Sequence, residues 1–191
     1  MGTLFVDKLD PQSGTSLEIG SSGDTITIPS GATITNNGTQ TGFGGANTPA
    51  FEATRSSDQT LSSGVYAKIQ FNTETFDTAG AYDNSSNYRF TVPSDQAGKY
   101  YIYASATLSS DNATEFNYGN IQIYKNGSEY RSLIADHRGN AVFRPYLAVQ
   151  AVMDLAVSDY IEIYGRVVTT STTPKIQGTN GNYFGAYKII T

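Results

Sequence analysis

Residues 98 to 109 read GKYYIYASATLS, and the alternation within this stretch decides the fold. Successive side chains of an extended chain point to opposite faces of a sheet, so an alternating pattern predicts a strand. The set that we expect to face the core is Tyr100, Ile102, Ala104, Ala106 and Leu108. The opposite set is Tyr101, Tyr103, Ser105, Thr107 and Ser109. Because a tyrosine joins apolar area to a polar tip, Tyr101 and Tyr103 are candidates for a subunit interface.

The same two-residue period recurs at residues 25–28, 121–124 and 161–164, with turn signals between such segments. The strongest turn signal is Asn126-Gly127, because a type I′ hairpin turn requires positive φ at both central residues. Residues 148–157 (AVQAVMDLAV) have some helical propensity, but they lack a cap and a clean polar face, so we predict a strand. The sequence therefore predicts an all-β fold, with about eight to ten short strands forming a sandwich or jelly roll.

Composition excludes several classes of function. The chain has 191 residues, no cysteine, a net charge of −5 and only 15% charged residues, against roughly 25% on average. The acidic balance argues against nucleic acid and against anionic membrane surfaces, which both attract basic proteins. No apolar run approaches the roughly 20 residues of a membrane-spanning helix, and the start lacks the pattern of a signal peptide. Without cysteine, disulfides and cysteine-ligated zinc are excluded.

Composition shifts near residue 45, which predicts two domains, 1–45 and 46–191. The first 45 residues contain no tyrosine and read as short alternating segments separated by glycine. One hairpin alone is marginally stable in water, so such segments need partners. Three chains wrapped together would bury a common set of apolar residues, namely Leu17, Ile19, Ile26, Ile28 and Ile34. We predict a short trimeric β-stem; the alternative is a loosely ordered linker.

Residues 48–191 resemble the jelly-roll heads of the complement C1q and tumour-necrosis-factor families. The resemblance rests on blocks in a shared order: FN at 71–72, YD at 82–83, YRFTVP at 88–93, GKYY at 98–101, IYKNG at 123–127, DLAVSDYI at 154–161 and FGAY at 184–187. Two extra residues separate Phe90 from Gly98, and Ile102 replaces a usual aromatic residue. The resemblance implies a homotrimer with an aromatic interface, for which the candidates are Tyr101, Tyr103, Phe184 and Tyr187.

The first 45 residues resemble the repetitive β-stem segments of bacteriophage tail fibres and other virion proteins. The segment TITIPSGATIT at 25–35 carries this likeness. The coupling of such a stem to a C1q-like head implies a non-enzymatic protein of the virion surface. Its N-terminus would attach to capsid or tail proteins, through the candidate anchor Leu4, Phe5, Val6 and Leu9, and its head would contact a glycan or protein of the host surface. The alternative is a capsid decoration or cement protein that stabilises the shell.

Polar loops supply the candidate binding residues. Asp111, Asn112 and Glu115 fall in one predicted loop, and Tyr118, Tyr146 and Tyr183 could join such loops in a sugar-binding surface. Residues 77–87 (DTAGAYDNSSN) are rich in the oxygen ligands that calcium prefers, which makes Asp77 and Asp83 candidate ligands. The spacing differs from an EF-hand, and an ordinary turn stabilised by Asp and Asn side chains is the alternative.

No residues are assigned to catalysis. His137 is the one histidine, and its neighbour Asp136 would point to the opposite side of an extended backbone, so we expect a polar loop contact there. A third candidate function, polysaccharide depolymerase, requires two carboxylates in one cleft. The sequence does not bring together any two of Glu52, Asp58, Asp111, Glu115 and Glu162.

Overall fold

The structure, a computed structural model, describes residues 7–38, 47–110, 115–139, 144–170, 172–178 and 181–189. The chain divides into two units, Met1–Thr41 and Gly42–Thr191, which we call the arm and the head. The described residues form strands and turns and no helix. This part of the chain therefore has no helix that could cross a membrane.

The head consists of thirteen strands in the described part of the chain. They are β1 (Ala50–Thr54), β2 (Gln59–Thr60), β3 (Ala67–Lys68), β4 (Thr73–Asp77), β5 (Tyr82–Asp83), β6 (Arg89–Thr91), β7 (Gly98–Ser110), β8 (Phe116–Lys125), β9 (Ser128–Asp136), β10 (Tyr146–Leu155), β11 (Tyr160–Thr169), β12 (Pro174–Ile176) and β13 (Tyr183–Lys188). All pairings between them are antiparallel.

The strands form two sheets that pack face to face. In the first sheet the order is β2-β12-β7-β13-β1-β4. The strand β10 also pairs with β7, along the edge opposite to β13. In the second sheet the order is β5-β6-β11-β8-β9, and β3 also pairs with β11. Apolar side chains from both sheets fill the space between them. The all-β sandwich predicted from the sequence is confirmed.

A cluster of aromatic rings lies at the centre of the core. Phe51 stacks with Tyr82 and Phe90 at centroid distances of 4.6 and 5.1 Å, and Phe184 meets it edge-on at 4.9 Å. Phe51, Phe90 and Phe184 have no exposed surface. The Tyr82 hydroxyl donates a hydrogen bond to the Phe71 carbonyl oxygen (2.9 Å), so this buried polar tip is satisfied. The rings thereby join β1 and β13 of the first sheet to β5 and β6 of the second.

Several local predictions are confirmed. The five residues of β7 assigned to the core are at most 1% exposed. Residues 148–155 lie in β10, where buried and exposed residues alternate along the strand. Asn126 and Gly127 have φ values of 51° and 77°, and they connect β8 to β9 as the hairpin prediction required.

The outward side of β7 differs from a simple solvent-facing row. Ser105, Thr107 and Ser109 are at most 6% exposed. The segment that follows β12 pairs alongside β7 here: the Thr107 backbone amide donates to Asn182 Oδ1 (2.7 Å), and Asn182 is itself buried.

The described part of the arm, residues 7–38, contains turns and no strand. The Asp24 amide donates to the Ser21 carbonyl oxygen (2.9 Å), and the Ala32 amide donates to the Pro29 carbonyl oxygen (3.1 Å). The residues proposed for the stem core are 43 to 60% exposed: Leu17, Ile19, Ile26, Ile28 and Ile34. Leu9 of the candidate anchor is 50% exposed, and Leu4, Phe5 and Val6 lie outside the described residues. The described apolar side chains of the arm are therefore about half exposed.

One carboxylate joins the two turns at the end of the second sheet. Asp159 accepts hydrogen bonds from Asn126 Nδ2 (2.7 Å) and the Ala156 amide (2.8 Å), and it pairs with Lys125 (2.8 Å). The hydrogen bonds from Lys125 and Asn126 lower the pKa of Asp159 from 3.8 to about 2. A lowered folded-state pKa adds stability above the unfolded-state pKa, and this contribution is lost as pH falls.

We therefore expect Asp159→Asn to lower the free energy of unfolding near neutral pH by about 1 kcal/mol or less, since the pair is near the surface. The difference from the wild type should shrink between pH 3.8 and about 2, where Asp159 becomes protonated. Urea unfolding across that pH range measures the difference. A difference in unfolding free energy that stays constant over this pH range would show that the negative charge of Asp159 does not contribute to stability.

Candidate functional site

Four tyrosines form a continuous patch on the outward side of the first sheet. They are Tyr101 and Tyr103 on β7 and Tyr183 and Tyr187 on β13. Tyr101 lies 5.9 Å from Tyr103 and 5.5 Å from Tyr187, and Tyr103 lies 5.9 Å from Tyr183, measured between ring centroids. All four are partly exposed. We call this patch the tyrosine face.

A glycine positions Tyr103 at the centre of the tyrosine face. Gly185 is the cross-strand partner of Tyr103, and a Cβ atom at Gly185 would lie 2.4 Å from Cζ and Oη of that tyrosine. The ring therefore lies across β13 and reaches β1, where its hydroxyl donates to Glu52 Oε2 (3.1 Å). Burial and the nearby Glu52 carboxylate raise the pKa of Tyr103, which keeps the hydroxyl protonated and able to donate.

Exposed apolar residues extend the tyrosine face on both sides. Val152 on β10 pairs with Tyr101, and Phe76 on β4 pairs with Glu52, which places both on the same side of the sheet. Val152 is 55% exposed and Phe76 is 44% exposed. Large contiguous apolar patches of this kind on a folded domain mark interaction surfaces.

Phe184, which was predicted to lie in the trimer interface, belongs to the core instead. It has no exposed surface and packs against Phe51, Phe71 and Tyr82. The reason is the strand period: Tyr183, Gly185 and Tyr187 point outward, so Phe184 between them points inward. Its assignment to an interface was wrong, whereas the other three candidates lie on the tyrosine face.

Three exposed apolar residues lie on β9, at the edge of the second sheet, where the neighbours Leu133 and Ile134 point to opposite sides of the strand. The hydrogen-bonding partner of β9 within the described residues is β8, which leaves the other side of β9 unpaired there. Tyr130, Leu133 and Ile134 are 47, 42 and 53% exposed. We call these three residues the edge patch. The strand β10, at the corresponding edge of the first sheet, lies close to β9.

The tyrosines predicted to form one sugar-binding surface lie on different sheets. Tyr146 and Tyr183 are on the outward side of the first sheet, whereas Tyr118 is on the second sheet. All three begin or nearly begin strands, and the surface that they were predicted to share with the polar loops stays a prediction. Glu115 immediately precedes β8, and Asp111 and Asn112 lie outside the described residues.

Tyr118 instead belongs to a group of tyrosines and arginines that the sequence analysis missed. The guanidinium carbons of Arg166 and Arg138 lie 5.5 and 5.8 Å from the Tyr118 ring centroid. Arg166 also lies 5.2 Å from the ring of Tyr66. β8 and β9 form a hairpin and β11 is distant from both in sequence, so the pairing of β11 with β8 places the two arginines beside one ring.

The proposed calcium ligands stabilise turns. Asp83 accepts hydrogen bonds from the backbone amides of Ser85, Ser86 and Asn87 at 2.8 to 3.1 Å, which hold its pKa well below the usual value. Asp77 accepts bonds from the amides of Ala79 and Tyr82 (3.0 and 2.8 Å). This geometry favours the turn alternative. Within the described ranges, no group of three or more His, Cys, Asp and Glu side chains could hold a metal.

His137 and Asp136 do not converge on one point. Asp136 forms an ion pair with Arg138, whose Nε lies 2.9 Å from Asp136 Oδ1. His137 instead meets the ring of Phe116 edge-on, with centroids 6.0 Å apart. The two side chains therefore have separate partners, and nothing in their geometry brings a nucleophile to the imidazole.

Three solved structures are similar to the head. The globular domain of zebrafish complement 1qA protein is 15% identical, covers 74% of this chain and 97% of its own, and has a TM-score of 0.52. The Eiger TNF of S. frugiperda is 10% identical (73% and 91% covered, TM-score 0.55), and murine APRIL is 11% identical (73% and 98%, TM-score 0.53).

These structures show that the head has the jelly-roll fold of C1q and tumour-necrosis-factor domains, as the sequence resemblance indicated. No protein-family model matches the sequence. No curated protein matches it either.

The position of Tyr103 over Gly185 can be tested by a double-mutant cycle. We expect Gly185→Val to cost about 1–3 kcal/mol of stability, because the new side chain must displace the Tyr103 ring. In a Tyr103→Ala background the same substitution should cost clearly less. Urea unfolding at one fixed protein concentration measures both. Equal costs in the two backgrounds would show that Gly185 is required for a different reason.

Proposed function

We propose that this protein is a surface protein of a bacteriophage virion, a short trimeric fibre that attaches through its N-terminal arm and contacts a host-surface glycan or protein through its head. Two features support the proposal. The arm resembles phage fibre stems in sequence, and the head has the C1q-type jelly-roll fold. The proposed role is structural and adhesive.

The observation that carries self-association is a pair of unlike apolar patches on one head. The tyrosine face is broad and aromatic, whereas the edge patch is narrow and contains Leu133 and Ile134. A two-fold interface repeats one self-complementary patch, but two different patches fit a head-to-tail contact that closes into a ring. In this proposal the edge patch of one head packs on the tyrosine face of the next, and three heads close the ring.

The arm supports the same assembly. Its five aliphatic stem residues are between 43 and 60% exposed, and they alternate with polar residues such as Thr25 and Thr27. Burying a Leu or Ile side chain contributes roughly 1.5–3 kcal/mol, so three arms that bury these residues together gain what one arm lacks. A trimer would also stabilise a chain that has no cysteine for disulfides.

Light scattering on the purified full chain should give three times the chain mass of 20.5 kDa. Val152→Asp should shift the mass toward one chain, because it buries a charge in the proposed interface. Val157→Asp is the matched control, since Val157 is 45% exposed but lies in the turn after β10, outside both patches. A wild-type mass of one chain would contradict the trimer, and dissociation by both variants would contradict the assigned interface.

The position of this chain on intact particles separates the fibre from the capsid decoration alternative, which would use the same trimer. We expect antibody labelling or a particle reconstruction to place it on the tail or on discrete fibres. Label spread evenly over the shell would replace the fibre assignment with a cement role. Absence of the chain from purified particles would overturn the virion assignment altogether.

A further inference from the structure

An open cavity lies on the outward side of the second sheet, away from the tyrosine face. Tyr118, Arg138, Arg166 and Val168 line its volume of about 390 Å³. Tyr118 and Val168 are cross-strand partners on β8 and β11, so the cavity floor is part of the sheet itself. A floor of paired strands is rigid, and rigid scaffolds position binding groups well.

Arg166 is held in place without an acidic partner. Its guanidinium lies between the rings of Tyr66 and Tyr118, 5.2 and 5.5 Å from their centroids. Asn120 Nδ2 donates to the Tyr66 hydroxyl (3.2 Å), which fixes the ring on the outer side. Arg166 Nε is buried and lacks a hydrogen-bond acceptor, and no carboxylate forms an ion pair with Arg166 in the described part of the chain.

Among the described residues that line the cavity, the net charge is close to that of one arginine. Arg138 is already paired with Asp136, so this pair is nearly neutral as a whole. Arg166 then contributes one uncompensated positive charge beside Tyr118. In a protein of net charge −5, such a site is unusual, and it matches a ligand group with a single negative charge. A carboxylate suits a guanidinium in particular, because two parallel N–H···O bonds can form.

We propose that this cavity binds the carboxylate of an acidic sugar, such as a uronic acid within a polysaccharide, with Arg166 as the principal contact. The open mouth suits a sugar ring better than a small buried ion, and the volume lies within the range of ligand pockets. This inference rests on the proposed function, since it assigns the chemistry of the host-surface glycan.

The location of the cavity agrees with that role. It lies over β8 and β11 on the outward side of the second sheet, whereas the tyrosine face is on the first sheet. The edge patch is on β9, the edge strand of the second sheet, and Arg138 follows that strand. Each trimer would therefore present three copies of the cavity. Weak binding at one cavity is then sufficient, because several linked sites raise the overall avidity.

The test uses the purified full chain and two probes of the same sugar backbone. A short oligogalacturonate carries free carboxylates, and its fully methyl-esterified form has none. We expect binding to the acid form, by calorimetry or by changes in tyrosine fluorescence, and at least tenfold weaker binding to the ester. Loss of a charged hydrogen bond of about 1.5–3 kcal/mol corresponds to a factor of that size.

Arg166→Gln should weaken binding of the oligogalacturonate by roughly tenfold or more, and Arg166→Lys by less. The matched control is Arg89→Gln, since Arg89 stacks on Tyr160 (4.5 Å) elsewhere on the same sheet. It should leave binding unchanged, and thermal unfolding of each variant checks that it folds. A variant Arg138→Gln should have an effect between these two.

Equal binding of the acid and the ester, or unchanged binding by a folded Arg166→Gln protein, would overturn the proposal, as would absence of binding to the acid. These outcomes are independent of the virion assignment. A protein found on particles that ignores oligogalacturonate contradicts the cavity proposal alone. A protein that binds it through Arg166 but is absent from particles contradicts the virion assignment alone.

Discussion

The head depends on one set of aromatic contacts, in which Phe51 stacks on Tyr82 and Phe90 and meets the edge of Phe184. These rings belong to both sheets, so they fix the spacing and the relative position of the two layers. Truncating a buried Phe typically costs about 3–5 kcal/mol, a large part of the stability of a domain. The tyrosine face and the cavity beside Arg166 lie on the outward sides of the two layers that this cluster holds together.

The core was the most predictable part of the molecule. The blocks that carry the family resemblance supply Phe71, Tyr82, Phe90, Tyr100 and Phe184, and all five are buried. Their predictability has a physical cause, because a strand period of two separates inward from outward residues wherever one side is apolar. The same period would have excluded Phe184 from the interface, once Tyr183 and Tyr187 were taken as outward residues.

The outward surfaces were less predictable because they depend on which strands pair. Gly185 is an ordinary glycine in the sequence, and its role follows only from its pairing with Tyr103. Likewise, Tyr118 on β8 and Arg166 on β11 are far apart in sequence, with β9 and β10 between them. Antiparallel pairing of β8 with β11 brings them together. The hydrogen bond from the Thr107 amide to Asn182 has the same origin, since 75 residues separate the two. Local patterns contain no information about such contacts.

The sparse charges of the chain gain meaning from this arrangement. Most of the ion pairs in the described residues are local or bridge neighbouring strands, such as Lys68 with Glu162 and Lys125 with Asp159. Arg166 differs, because aromatic rings rather than a carboxylate surround it. Tyrosine serves both sheets in different ways: on the first sheet the rings contact each other and form an apolar surface, and on the second they hold a cation. The proposed assembly and the proposed anion site would therefore use the same residue type on the two sides of the sandwich.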